Sequence, residues 1–286
     1  MFFSVLSSIW SCIYTALLFT WTDYKTIFVP VLAFASGLEP HSNTTSFARC
    51  CAWVWLHLLL CNVSNQALGK DEDALNRPWR PLPSGRVSVE QARRLRMLLA
   101  ASCPAVSFIH SGALGAVSLI LVLTTFVYDE CKLSKHPLGK NFCNVFGYVT
   151  FQAGATLLLA RAGVLSADAL SAIALAGATI FTTIQLQDFP DIVGDAAAGR
   201  VTFPIYAPEF SRWLTVSALL SWSLLLSSFW AIGTTGSMAL LALGAVVGVR
   251  CVCLRSPAAD AATYRLYGVW LVATFLLPWH ARAGVA

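Results

Sequence analysis

Charge is nearly confined to four intervals of this chain, and that distribution limits the fold more than any single motif does. Apolar stretches lie near 24–38, 46–69, 90–108, 113–129, 142–161, 168–190, 210–231, 236–253 and 265–281. A hydrocarbon core of ~30 Å is crossed by about 20 apolar residues of helix. A helix also satisfies its own backbone hydrogen bonds where no water is present. The pattern therefore predicts an all-α integral membrane protein of about nine transmembrane helices, folded as a single domain over 1–286. A further apolar run, Phe2 to Thr20, lacks the basic flank of a signal peptide and reads as an extra N-terminal helix over 1–20. Composition agrees: 57% hydrophobic against 12% charged residues, with 10 Trp and 17 Phe, excludes a soluble domain, a disordered chain and a disulfide scaffold.

The long hydrophilic interval is Lys70 to Arg96, and shorter ones fall at 129–141, 191–212 and 250–265. With nine spans these four loops share one membrane face. They hold seven, three, two and three of the 19 Lys and Arg residues, whereas the other face has Arg49, Arg161 and Arg282. Positive charge marks the cytosolic side, so the polar loops are expected in the cytosol, with the endoplasmic reticulum as the host membrane. The net charge of +5 reports topology and implies no nucleic-acid partner. The sequon Asn43-Thr44-Thr45 falls on the lumenal face, whereas Asn62-Val63-Ser64 lies inside a span. Nine cysteines without metal-ligand spacing are expected to be buried, inert thiols. His57 and His110, each within an apolar run, are expected to be hydrogen-bonded packing residues.

Carboxylates at a membrane edge are costly, so a cluster of them is a functional signal. One segment is Asn65-Gln-Ala-Leu-Gly69-Lys70-Asp71-Glu72-Asp73, at the end of the second stretch. Another is Asp188-Phe-Pro-Asp191-Ile-Val-Gly-Asp195, at the end of the sixth. Asp188, Asp191 and Asp195 stand at i, i+3 and i+7, and Asn65, Gly69 and Asp73 at i, i+4 and i+8. Each set lies along one helical stripe. Carboxylates aligned this way repel unless they share a cation, and hard oxygen ligands suit Mg²⁺ shared with substrate phosphates. Arg77, Arg80, Lys140 and Arg200 accompany the two segments and suit a diphosphate. Asn144 and Tyr148, at i and i+4, with Phe151 and Gln152 one turn on, are expected in the wall of a cavity. An aromatic face there would stabilise a desolvated cation.

These residues resemble the UbiA superfamily of intramembrane prenyltransferases. The likeness rests on Asn65 to Asp73, then Asn76-Arg77-Pro-x-Arg80-Pro-x-Pro-Ser-Gly, then Asp191-x-x-Gly-Asp195-x-x-x-Gly199-Arg200-x-Thr202. It implies helices around a central cavity open laterally to lipid, where two Asp-rich motifs bind Mg²⁺ and ionise a prenyl diphosphate. Gln66 and Gly69 stand where the usual first motif has aspartates. The stretch Leu18-Phe-Thr-x-Thr-Asp23-x-Lys25-Thr-Ile, with Lys140, Asn141, Asn144 and Tyr148, is similar to the fungal terpene-cyclase branch.

The expected function is a membrane-bound class I terpene cyclase that folds the carbocation of a prenyl diphosphate into a hydrocarbon. The C15 farnesyl chain is favoured over C20. Metal ligands are expected to be Asp188, Asp191, Asp195, Asp73 and Glu72. The diphosphate would be held by Asn65, Arg77, Arg80, Lys140 and Arg200, with Tyr148 acting on the cation. The alternative enzyme is a prenyltransferase acting on an aromatic or other acceptor. Membrane lipid is the only other partner expected, with no obligate protein partner. A small-molecule transporter is disfavoured, because the halves show no inverted repeat and both acidic segments sit on one face.

Overall fold

The computed structural model describes residues 2–70, 73–74, 77–197 and 199–283. Among those residues the regular structure is all helical, joined by turns and loops, without strands. The helices are α1 (Phe2–Thr20), α2 (Val29–Leu38), α3 (Thr44–Leu68), α4 (Val89–His110), α5 (Gly112–Asp129), α6 (Pro137–Leu159) and α7 (Ala167–Thr183). After them come two short helices, α8 (Ile192–Ala197) and α9 (Phe203–Tyr206). The chain then continues through α10 (Pro208–Phe229), α11 (Gly233–Cys253), α12 (Pro257–Phe275) and α13 (Leu277–Ala283).

Local chemistry explains where the helices start. Ser88 and Gln91 form a reciprocal capping box at α4. Asn43, Ser111, Ser166 and Ser256 accept a backbone N–H at the starts of α3, α5, α7 and α12. Pro137, whose missing N–H costs nothing in a first turn, begins α6 five residues before the apolar stretch at 142–161. Ser256 and Pro257 likewise begin α12 eight residues before the stretch at 265–281, so Asp260 and Arg265 lie inside a helix.

Two of the expected stretches are not continuous α-helix. The first opens as a 3₁₀ turn over Trp21–Asp23 and a π-helical turn over Tyr24–Phe28 before α2 begins. The sixth unwinds after Thr183 into a 3₁₀ segment, Ile184–Asp188, and then turns at Pro190. Among the described residues five helical segments are long and apolar enough to cross a membrane: Thr44–Leu68, Gly112–Asp129, Pro137–Leu159, Ala167–Asp188 and Gly233–Cys253. All five fall within or over the expected stretches. The other candidate stretches are shorter, broken or more charged.

Neighbours in sequence pack in space from α3 to α7, then α7 meets α10, α10 meets α11 and α11 meets α12. α12 and α13 return to α2, which also lies on α6. One apolar cluster fills the α7, α10, α11 and α12 side around Ile180, Leu219, Tyr267 and Trp270; a second joins α2, α3, α5 and α6 around Val54, Leu58 and Phe151. Close approach relies on small residues, as is usual between helices in lipid. A Cβ on Gly154 would come within 2.2 Å of the Trp53 ring. The outer surface is apolar, with residues such as Leu123 and Val249 each 61% exposed.

The histidine expectation divides. His57 is buried, stacked on Trp53 at 4.0 Å. Its Nδ1–H donates to the Trp53 carbonyl at 2.8 Å, which leaves Nε2 to accept from Ser118 Oγ at 2.7 Å. His110 is exposed at the end of α4. The cysteines are all free, but only Cys50, Cys103, Cys143 and Cys251 are buried; Cys12, Cys131 and Cys253 are exposed.

Candidate active site

The four polar intervals meet at one end of the bundle. Arg96 pairs with Glu130 at 2.5 Å across two of them, the Val201 N–H donates to the Lys135 carbonyl at 3.2 Å, and Arg255 pairs with Glu209. Beneath them lies a cavity of about 590 Å³. Both acidic segments reach its mouth.

After α3 the i to i+4 bonding recurs among the described residues of the first segment, with the Gly69 N–H donating to Asn65 O at 2.9 Å and the Asp73 N–H to Gly69 O at 3.0 Å. That bonding turns Asn65, Gly69 and Asp73 toward the cavity together. Gln66 points elsewhere: it is fully buried, and its Nε2 donates to the Phe19 carbonyl at 3.0 Å, fixing the end of α1. Asp73 is buried against Arg80, whose Nη1 donates to Oδ1 at 2.7 Å. Arg77 lines the same wall. Glu72 lies outside the described residues.

The second segment does not form the single helical stripe that its spacing predicts. Asp188 ends the 3₁₀ segment, Asp191 sits in the turn and Asp195 is in α8, so the backbone bends between them. The Asp195 N–H still donates to Asp191 O at 2.8 Å, and all three carboxylates line the cavity. Lys140, from the first turns of α6, enters between two of them. Its Nζ is 2.7 Å from Asp188 Oδ1 and 3.6 Å from Asp195 Oδ2, and all three side chains are under 10% exposed. Arg200 Nη1 lies 3.7 Å from Asp195 Oδ1. Asp191 is the open carboxylate, with its surface toward the cavity. Desolvation within the protein lifts its pKa above the ordinary carboxylate value, and Arg77 opposes that rise.

Deeper, Asn144, Tyr148 and Phe151 line the cavity with Leu58 and Leu121. The Tyr148 hydroxyl donates to the Thr26 carbonyl at 3.0 Å, an acceptor within the π-helical turn. Gln152 does not join them. It is fully buried away from the cavity, because at about 100° per residue it is turned roughly 80° from Asn144 around the helix.

Several wall residues were not singled out as site residues from the sequence. Asp129, on α5, accepts from Ser64 Oγ at 2.6 Å and from Asn65 Nδ2 at 3.4 Å. Asp23, Tyr128, Tyr264 and Arg265 also line the cavity. A signal was available for Asp129, a carboxylate closing an apolar run, but its partner is 64 positions away in sequence. Behind the second segment, Arg212 makes a two-point pair with Asp260, at 2.9 Å for each bond, and its guanidinium lies 4.1 Å over the Phe189 ring.

The donor set fits a hard divalent cation. Oδ2 of Asp73 and Oδ2 of Asp188 are buried without a hydrogen-bond partner, a costly condition that a bound cation relieves. Among the described residues no three His, Cys, Asp or Glu side chains converge tightly enough to hold a metal alone. Mg²⁺ at such a site takes remaining ligands from phosphate and water.

Residues 24–273 match the model of the UbiA prenyltransferase family. The chain is 28% identical over 269 residues to a fumagillin beta-trans-bergamotene synthase of Aspergillus fumigatus, covering 92% of this chain and 91% of that one. It is 28% identical over 261 residues to a polyprenyl transferase of Hericium erinaceus, covering 87% and 88%. The fold resembles that of a UbiA homologue from Archaeoglobus fulgidus solved with GPP and Mg²⁺, with a TM-score of 0.68 over 92% of this chain and 99% of that one at 14% identity.

Proposed function

Since the chain belongs to the UbiA prenyltransferase family, an integral membrane family, we propose that it is a membrane-bound terpene cyclase. It takes a linear prenyl diphosphate, C15 in preference to C20, and cyclises it to a hydrocarbon with release of diphosphate. One observation carries the reading: both acidic segments and their basic partners ring the mouth of a cavity whose deeper wall is Leu58, Leu121, Tyr148 and Phe151. A polar rim over an apolar floor suits an amphiphile with an anionic head. The named synthase and the solved homologue with GPP and Mg²⁺ support the substrate class.

In this reading Arg77, Arg80, Lys140 and Arg200 hold the diphosphate, and Asn65 contributes an amide. Asp73, Asp188, Asp191 and Asp195, with Glu72, hold Mg²⁺. Bound there, the metal supplies positive charge that stabilises the leaving diphosphate. The allylic C–O bond breaks with both electrons going to the diphosphate. A distal double bond then closes on the cation, and proton loss leaves a new alkene. Tyr148 and Phe151 offer π faces to the cation, and the apolar wall excludes water that would quench it. Nine crossings would bring the four polar loops to one face, and their excess of Lys and Arg supports the cytosolic face of the endoplasmic reticulum.

The Hericium transferase favours a second reading, transfer of the prenyl group to an acceptor. Purified protein given farnesyl diphosphate and Mg²⁺ alone separates the two. Hydrocarbon detected by gas chromatography–mass spectrometry is the expected result, lost in Asp188→Asn. Turnover that appears only when an aromatic or alcohol acceptor is added overturns the cyclase reading.

A further inference from the structure

Cyclisation ends with a proton leaving carbon, and that proton needs an acceptor. At the rim Asp188 and Asp195 are engaged with Lys140, Asp73 with Arg80, and Asp129 with Ser64 and Asn65, while Asp191, though open, belongs with the proposed metal ligands at the mouth. Lower down, the Tyr148 hydroxyl is committed to the Thr26 carbonyl, and His57 does not face the cavity. Among the described residues one carboxylate remains in the wall between these levels.

That carboxylate is Asp23. Its depth follows from the contacts of the segment that carries it. Phe19 is tied by its carbonyl to Gln66, near the rim end of α3. The Tyr24 hydroxyl accepts from Trp55 Nε1 at 2.9 Å, well down the same helix, and Thr26 meets Tyr148. The chain therefore descends from the level of the first acidic segment to that of the aromatic wall. Asp23 stands in the middle of the descent and lines the cavity. A 3₁₀ turn passing into a π-helical turn sets its direction, a kind of irregularity that often marks functional positions. The carboxylate is steered by two hydroxyl donors, Thr26 Oγ1 to Oδ1 at 3.1 Å and Thr22 Oγ1 to Oδ2 at 3.3 Å. Among the described residues it has no ion-pair partner. It thus retains lone pairs toward the chamber.

We propose that Asp23 is the base that ends the reaction. Resting on the cyclase reading, the assignment gives one balanced step: the C–H bond next to the cationic carbon breaks, its electron pair becomes the new C=C bond, and the proton goes to a carboxylate oxygen of Asp23. Water at the cavity mouth takes that proton afterwards. A carboxylate at this height also selects which proton is lost, because only hydrogens on the facing part of the folded chain reach it.

The test compares Asp23→Asn and Asp23→Glu in purified protein supplied with farnesyl diphosphate and Mg²⁺, with diphosphate release and product spectrum measured together. Asp23→Asn should retain diphosphate release but lower the wild-type hydrocarbon by about 100-fold, the scale of a general base. Double-bond isomers or a water-capture alcohol should replace it, and Asp23→Glu should restore hydrocarbon. An unchanged product in Asp23→Asn overturns the assignment. So does a parallel loss of release and product at unchanged thermal stability, which would place Asp23 in ionisation. If wild-type protein forms no hydrocarbon, the cyclase reading itself falls; a cyclising wild type with an indifferent Asp23→Asn removes only the base.

Discussion

Lys140→Met is the most informative single change at this site. Lys140 is the shared cation of Asp188 and Asp195, at 2.7 Å and 3.6 Å, with every partner under 10% exposed. Removing one member of a buried ion pair costs about 3–5 kcal/mol, because the charge left behind stays desolvated. Asp195 keeps Arg200 at 3.7 Å, so the lower end of that range applies. At roughly 2–4 °C per kcal/mol for a chain of this size class, a loss of ~3 kcal/mol is a fall in Tm of about 6–12 °C. The assay is thermal unfolding in detergent with EDTA, repeated across a Mg²⁺ titration with inorganic diphosphate present. A divalent cation can reoccupy the space between the two carboxylates, so added Mg²⁺ should raise the Tm of the variant more than that of wild type, by the usual binding linkage. Equal Tm values in EDTA would refute the premise that Lys140 neutralises the pair. Equal responses to Mg²⁺ would refute the premise that lysine and metal act on the same carboxylates.

Two further outcomes test the frame around the site. Arg212→Met leaves Asp260 buried without its two-point partner and removes the cation over Phe189, so Tm should fall in step with a loss of about 3–5 kcal/mol. Restoring the wild-type Tm with Arg212→Lys would show that charge alone, without two-point geometry, suffices. Gly154→Val drives a side chain into the Trp53 ring, which stacks on His57; overpacking of this kind costs ~1–3 kcal/mol. Lower detergent Tm is the expected readout, and a simultaneous Trp53→Leu should recover part of it.

Helices were legible from the sequence because lipid imposes a length and a polarity on each, and nothing else accounts for apolar runs of that size. Their starts were less legible. α6 and α12 begin inside polar intervals, where Pro137 and Ser256 decide the matter through backbone chemistry that hydropathy does not register. Spacing was a sound guide where the i to i+4 bonding recurs, as with Asn65, Gly69 and Asp73. It misdescribed Asp188 to Asp195, where the chain unwinds and turns at Pro190, yet the three carboxylates still reach one cavity. Gln152 shows the limit on the other side: one residue past Phe151, it faces away from the cavity. Asp129 and Asp23 could not be placed from local pattern, since what brings them to the site is the packing of α3 against α5 and against the π-helical turn.

The altered first segment acquires a physical meaning from these contacts. In the family pattern, positions 66 and 69 would carry carboxylates. Here Gln66 is turned to the Phe19 carbonyl and so fixes the end of α1, immediately before the turns that carry Asp23. Gly69 leaves the cavity wall without a side chain, and an added Cβ would lie 3.1 Å from Asn65 O. One substitution therefore removes rim charge while anchoring a segment that presents a carboxylate lower in the chamber. The other keeps the mouth open beside Asp73. The wall of this chain carries a carboxylate, Asp23, below the rim, at the level where the proposed base would take the terminating proton. A base at that level would serve cyclisation, in which the proton leaves the folded prenyl chain itself.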